Sequence, residues 1–108
     1  MISYDDFDKV EIRTGTIIEV NDFHKARKPA YQLTIDFGVA GIKRSSAQIT
    51  DMYDKQALIG KQILAVVNFP PKQIANFFSE CLVLGVVTPE GVVLLQTERP
   101  VANGLRIS

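Results

Sequence analysis

Val10-Glu11-Ile12-Arg13-Thr14-Gly15-Thr16-Ile17-Ile18-Glu19-Val20 is a long β-rich segment whose apolar residues alternate only in part, and Gly15 within it predicts a bend or a bulge. A bent first strand suits a small closed barrel. Upstream, Ser3-Tyr4-Asp5-Asp6 has the spacing of a capping box and predicts a short helix over residues 4–9. Downstream, residues 24–29 form a polar, basic loop. Tyr31, Leu33, Ile35 and Phe37 then alternate with Gln32, Thr34 and Asp36, the clearest strand pattern in the chain. Residues 38–41 read as a turn and residues 42–49 as the returning strand. A short helix is expected within residues 50–59, stopped by Gly60. Residues 62–68, 81–87 and 92–96 read as further strands, and Pro89-Glu90-Gly91 makes the last two a hairpin.

That order predicts an all-β chain with short helices: a five-stranded oligonucleotide-binding (OB) barrel with an N-terminal helix and a C-terminal extension. Its working loops should follow the first and fourth strands. With 108 residues the chain is one domain, residues 1–108. Residues 99–108, with Pro100, Asn103 and Gly104, form an irregular tail that should fray unless it docks on the barrel or on another subunit.

Composition narrows the function classes. The 46% hydrophobic and 22% charged residues fit an ordinary globular core. Apolar runs stay far below the roughly 20 residues a bilayer crossing needs, so no membrane insertion is expected. The acidic start, with Asp5 and Asp6, is unlike an export signal and places the chain in the cytoplasm. Twelve basic and twelve acidic residues balance, which disfavours tight nonspecific nucleic-acid binding. One His, one Cys and no clustered ligands or phosphate loop argue against an enzyme and against any metal or cofactor. Cys81 is expected to be a small buried hydrophobe.

Two groups of residues carry candidate binding chemistry. His24, Lys25, Arg27 and Lys28 in the first loop, with Lys43 and Arg44 on the third strand, are either a solvated basic surface or contacts for an anionic ligand. The loop after the fourth strand, Asn68-Phe69-Pro70-Pro71-Lys72-Gln73-Ile74-Ala75-Asn76-Phe77-Phe78-Ser79-Glu80, is unusually apolar. Phe77 and Phe78 are adjacent, so in extended chain they point to opposite sides and only one easily faces inward. Such a loop either closes the barrel or a dimer seam, stacks on single-stranded bases, or offers a proline-stiffened apolar surface to a polypeptide.

Phe7-Asp8-Lys9-Val10-Glu11-Ile12-Arg13-Thr14-Gly15-Thr16-Ile17, Leu58-Ile59-Gly60-Lys61-Gln62, Val66-Val67-Asn68 and Ser79-Glu80-Cys81-Leu82-Val83-Leu84-Gly85 together resemble the tRNA-binding OB domain appended to methionyl-tRNA synthetase. Within that family, residues 26–38 and 68–75 resemble a free-standing bacterial branch described as secretion-related chaperones. The tRNA-binding relatives carry Lys-Pro-x-Lys or Lys-Pro-x-Arg after the Asn and a later Ser-Glu-Gly-Met. Here Pro70 and Gln73 stand in place of the two basic residues, Cys81 replaces Gly, Leu82 replaces Met, and Lys72 keeps one charge displaced by one position. Phosphate contacts supply much of nucleic-acid affinity, so this loss weakens a tRNA site.

The resemblance implies a homodimer that binds unfolded or pre-secretory polypeptides without ATP, with the secretion motor ATPase as a further partner. The expected peptide contacts are Asn68, Phe69, Pro71, Ile74, Phe77, Phe78, Ser79 and Glu80. The alternative it implies is a tRNA-binding or other RNA-binding module, using His24, Lys25, Arg27, Lys28, Lys43, Arg44 and Lys72.

Overall fold

The computed structural model describes all residues, 1–108. Helix α1, Tyr4–Asp8, is closed at its start by the expected capping box. Asp6 N–H donates to Ser3 Oγ at 3.2 Å and Ser3 N–H to Asp6 Oδ2 at 3.0 Å. These bonds hold the Asp6 carboxyl below its usual range. Strand β1, Ile12–Asp22, is the axis of the fold. Its first half pairs antiparallel with β4, Gln62–Val66, from Ile12 opposite Val66 to Thr16 opposite Gln62. Its second half pairs with β2, Tyr31–Asp36, across a register shift between Ile17 and Glu19.

Gly15 makes that double service sterically feasible. A Cβ there would lie 2.6 Å from Phe37 Cδ1 and 2.8 Å from Ile35 Cγ2, too close for either side chain to stay in place. Strand β3, Ile42–Ala47, returns along β2 after a 3₁₀ turn at Gly38–Ala40. Helix α2, Lys55–Leu58, is N-capped by Asp54 and plugs the barrel with Leu58, which is fully buried. Ile17, Leu33, Ile35, Phe37, Ile63 and Ala65 complete the inaccessible centre.

The remaining strands depart from the expected ones. The strand expected over residues 62–68 stops at Val66. The segment expected as a single strand over residues 81–87 divides at Leu84 into β7, Leu82–Val83, and β8, Gly85–Thr88. β7 pairs with β4, whereas β8 forms the expected hairpin with β9, Gly91–Leu94. Packing within that hairpin requires Gly85, since a Cβ there would lie 2.5 Å from Val92 Cγ1. The loop after β4 holds a small hairpin of its own, β5 Lys72–Ile74 with β6 Phe77–Ser79, turned through Ala75 at φ 54. The sheet order is β3-β2-β1-β4-β7. This mostly stranded, nearly closed five-stranded barrel is the expected OB architecture.

The tail docks on the barrel as an added edge on β1. Gly104 N–H donates to Thr14 O at 2.7 Å, Thr14 N–H to Leu105 O at 3.0 Å, and Ile107 N–H to Ile12 O at 2.8 Å. Gln62 locks the approach to this edge. Its amide donates to Val101 O and Asn103 Oδ1 and accepts from Val101 N–H and Thr97 Oγ1.

Replacing Gly15 by Ala should cost about 1–3 kcal/mol, the usual range for overpacking a tight core. Urea unfolding would show this as a lowered midpoint with an unchanged slope. An unchanged midpoint would mean that Phe37 moves aside without loss.

Candidate functional site

The barrel closes between its outer strands, β3 and β7, through a short seam made largely by side chains. Arg44 N–H donates to Glu80 Oε1 at 2.9 Å and Glu80 N–H returns a bond to Arg44 O at 2.8 Å. Ser46 N–H donates to Ser79 Oγ at 3.0 Å, and the buried Ser45 hydroxyl donates to Cys81 O at 2.9 Å. Beyond Ser46 the seam opens into a groove of about 690 Å³. Its walls include Ile49, Leu82, Val83 and Val92, with Phe69, Pro70 and Ile74 contributed by the loop after β4. Lys72 and Glu80 supply the charges at its border.

The expected peptide contacts divide between lining and scaffold. Phe69, Ile74, Ser79 and Glu80 line the groove, whereas Asn68, Pro71, Phe77 and Phe78 do not. Asn68 is engaged elsewhere: Glu11 N–H donates to its Oδ1 at 3.0 Å and its Nδ2 donates to Lys9 O at 2.7 Å. Its amide therefore ties the loop to the start of β1. The Ser79 hydroxyl and one Glu80 carboxylate oxygen are likewise occupied by the seam. The expectation that these three contact a peptide needs that correction, because backbone groups require them first: those before β1 for Asn68, those of β3 for Ser79 and Glu80.

Phe77 is the inward member of the phenylalanine pair. It is 3% exposed against 56% for Phe78. Its ring packs against Phe23 at 5.3 Å between centroids, with Ala30 beside them, and the Arg44 guanidinium stacks over it at 4.5 Å from the centroid. Phe77 thus anchors the first loop to the β5–β6 hairpin, while Phe78 points to the hairpin's other side.

The basic residues do not gather on one face. His24, Lys25, Arg27 and Lys28 are exposed on the loop held by Phe23, and none of them forms an ion pair. Lys43 and Arg44 project from opposite faces of β3, as adjacent strand residues must. Arg44 reaches Gln32 Oε1 at 3.3 Å, and Lys72 stands apart at the groove. Lining residues outside the expected contacts include Gln48, Ile49, Leu82, Val83, Leu84, Val87 and Val92. The apolar ones carry the same signal as core, and only the tertiary fold places them beside the open seam.

This geometry stands beside clear likenesses to known proteins. The putative tRNA binding domain model matches residues 12–106, and the chain belongs to that family. It is 31% identical over 105 residues to the methionine–tRNA ligase of Methanococcoides burtonii, covering 96% of this chain and 15% of that protein. A second ligase, from Enterococcus faecalis, is 31% identical over 109 residues, covering 99% of this chain and 16% of that protein. The chain therefore spans only about a sixth of the length of these relatives.

Among solved structures it resembles the CsaA chaperone protein from Picrophilus torridus, with a TM-score of 0.95, 58% identity and 100% of both chains covered. The chaperone CsaA from Bacillus anthracis str. Ames gives a TM-score of 0.94 and 51% identity over 100% of this chain and 99% of that one. The MetRS related protein from Pyrococcus horikoshii gives 0.87 and 25% over 100% and 98%. A chaperone or a tRNA-binding module is the class these likenesses support.

Cys81 lies in the seam, buried as expected. Burial pushes its thiol up to about 11, partly offset by the bond involving Ser45. The thiolate is the reactive form, so a thiol reagent should leave the native protein unmodified near neutral pH and react after unfolding. The fold favours the protonated thiol, so its contribution is intact below pH 9 and declines as pH rises from 9 through 11. Rapid labelling of the folded chain would show that the seam opens.

Proposed function

We propose that this chain is an ATP-independent chaperone that holds unfolded or pre-secretory polypeptides in the cytoplasm, acting as a homodimer. The observation that carries this reading is the apolar groove at the barrel seam, rimmed by Phe69 and Pro70 where tRNA-binding relatives place a basic motif. An unfolded client exposes apolar side chains that a native protein hides. A groove walled by Ile49, Leu82, Val83 and Val92 removes them from water at about 25 cal/mol per Å². Pro70 and Pro71 limit the freedom of the rim, so less ordering is required on binding. The likeness to the two CsaA chaperones supports the chaperone part of this reading, and a role beside the secretion motor ATPase belongs to the same proposal.

A second reading, binding of tRNA, rests on the family match and on exposed, unpaired Lys25, Arg27 and Lys28 near Arg44 through the Phe23–Phe77 contact. Net charge of zero and the dispersal of Lys43 and Lys72 weigh against high affinity. The two readings differ in salt response. Phosphate contacts release counterions and give a steep salt slope, whereas apolar burial does not.

Titration of the protein with a labelled unfolded preprotein segment and with labelled tRNA, each at low and near-physiological salt, separates them. The expected result is peptide binding that tolerates salt, with weak tRNA binding. Phe69→Ala should weaken the peptide by about tenfold, as removal of a partly buried aromatic anchor commonly does, without unfolding the barrel. Tight, salt-steep tRNA binding with no peptide binding would reverse the assignment.

A further inference from the structure

Two strand edges flank the groove, and neither has a ladder partner there. They belong to β3 and β7, the outer strands of the five-stranded sheet. The bond from Phe37 N–H to Gly41 O, 2.9 Å, sets the phase of the β2–β3 ladder. Main-chain bonds alternate in direction along a strand, so Arg44 and Ser46 turn their groups to the outer edge, and Gln48 follows immediately past the end of β3. The seam meets the first of these, through Glu80 at Arg44 and Ser79 at Ser46 N–H.

It meets no more of them. The only donor near the Ser46 carbonyl is the Ser45 hydroxyl at 3.4 Å, whose proton goes to Cys81 O instead, and the Gln48 N–H has no partner within the chain. On the facing strand, Leu84 N–H donates to Leu64 O at 2.9 Å, which directs the N–H and C=O of Val83 away from β4 and toward the groove. An open strand edge is a template for another backbone.

We propose that the groove takes its ligand by strand addition. An extended polypeptide pairs its main chain with the β3 edge at Ser46 and Gln48, and its alternate side chains descend onto Ile49, Leu82 and Val92. This rests on the polypeptide-binding reading above and names how the client is recognised. The leftover groups themselves select an extended backbone. A helix has already used its N–H and C=O groups internally, so it cannot pair with the edge. Recognition through the main chain is tolerant of sequence, and the period-two side-chain contacts ask only that alternate residues be apolar. Folded proteins seldom present such a segment, so the edge distinguishes unfolded clients from native ones.

The test uses one fluorescent apolar peptide in three forms: unmodified, N-methylated at one set of alternate positions, and N-methylated at the other set. Methylation removes N–H donors. Strand addition predicts that one set lowers affinity by about tenfold or more while the other binds like the unmodified peptide. A companion pair of variants probes the protein's side. Gln48→Pro removes the edge donor and should weaken binding comparably, whereas Gln48→Ala keeps it and should not, with circular dichroism confirming that both fold. If Gln48→Pro does not fold, the methylated peptides decide alone. Equal affinity of all three peptides, or equal loss from both methylated sets, overturns strand addition while leaving polypeptide binding in place. Failure of the unmodified peptide to bind overturns both.

Discussion

The approach of Phe37 to the bare backbone of Gly15 is the constraint on which this fold depends. Only without a Cβ can β1 receive Phe37 and Ile35 there while it pairs with β4 along its first half and with β2 along its second. Its register shifts two residues on, between Ile17 and Glu19, and not at Gly15 itself. One strand serving two partners wraps the sheet around Ile17, Leu33 and Ile63 and leaves β3 and β7 as the outer strands. Because β2 pairs only with the second half of β1, the other side of the first half is free, and the tail covers it through Gly104, Leu105 and Ile107.

Closure by side chains has a further consequence. A full ladder between β3 and β7 would have consumed every edge group and left no groove. Instead Ser79 and Glu80 substitute for backbone at Arg44 and Ser46, and the strands part immediately afterwards. Ser79 and one Glu80 oxygen are thereby committed to structure, and what remains for a ligand is mostly apolar wall and unpaired main chain, with Lys72 at the border. That division favours polypeptide over nucleic acid, whose recognition depends on free cations or exposed aromatic platforms. Phe69 is the one aromatic and Lys72 the one cation lining the groove, and Phe78 and the loop cations lie outside it, so it holds no row of stacking platforms for successive bases.

Patterns within a few residues were readable, and pairings over long distances were not. Alternation from Tyr31 to Phe37, the Ser3–Asp6 box and the turn before Gly91 are local and appear where expected. The rule that Phe77 and Phe78 diverge was also available, but the buried one is chosen by Phe23, more than fifty residues earlier. Asn68 reads as a ligand-facing loop amide until Lys9 and Glu11 are brought to it. The β5–β6 hairpin has no local signature, because Ala75, unlike Gly or Asn, carries no signal for the left-handed conformation that turns it. Leu82 and Val83 read as strand residues and not as a site, since sequence does not say which strand will be outermost.

Chemical-shift mapping of the isotope-labelled protein against an unfolded apolar peptide tests the central claim most directly, because it reports the location of binding without presuming a mechanism. The account predicts the largest perturbations at residues 46–49 and 82–84, with Phe69 following and the loop 24–29 unmoved. Perturbations confined to that basic loop and Arg44, with the groove silent, would contradict it.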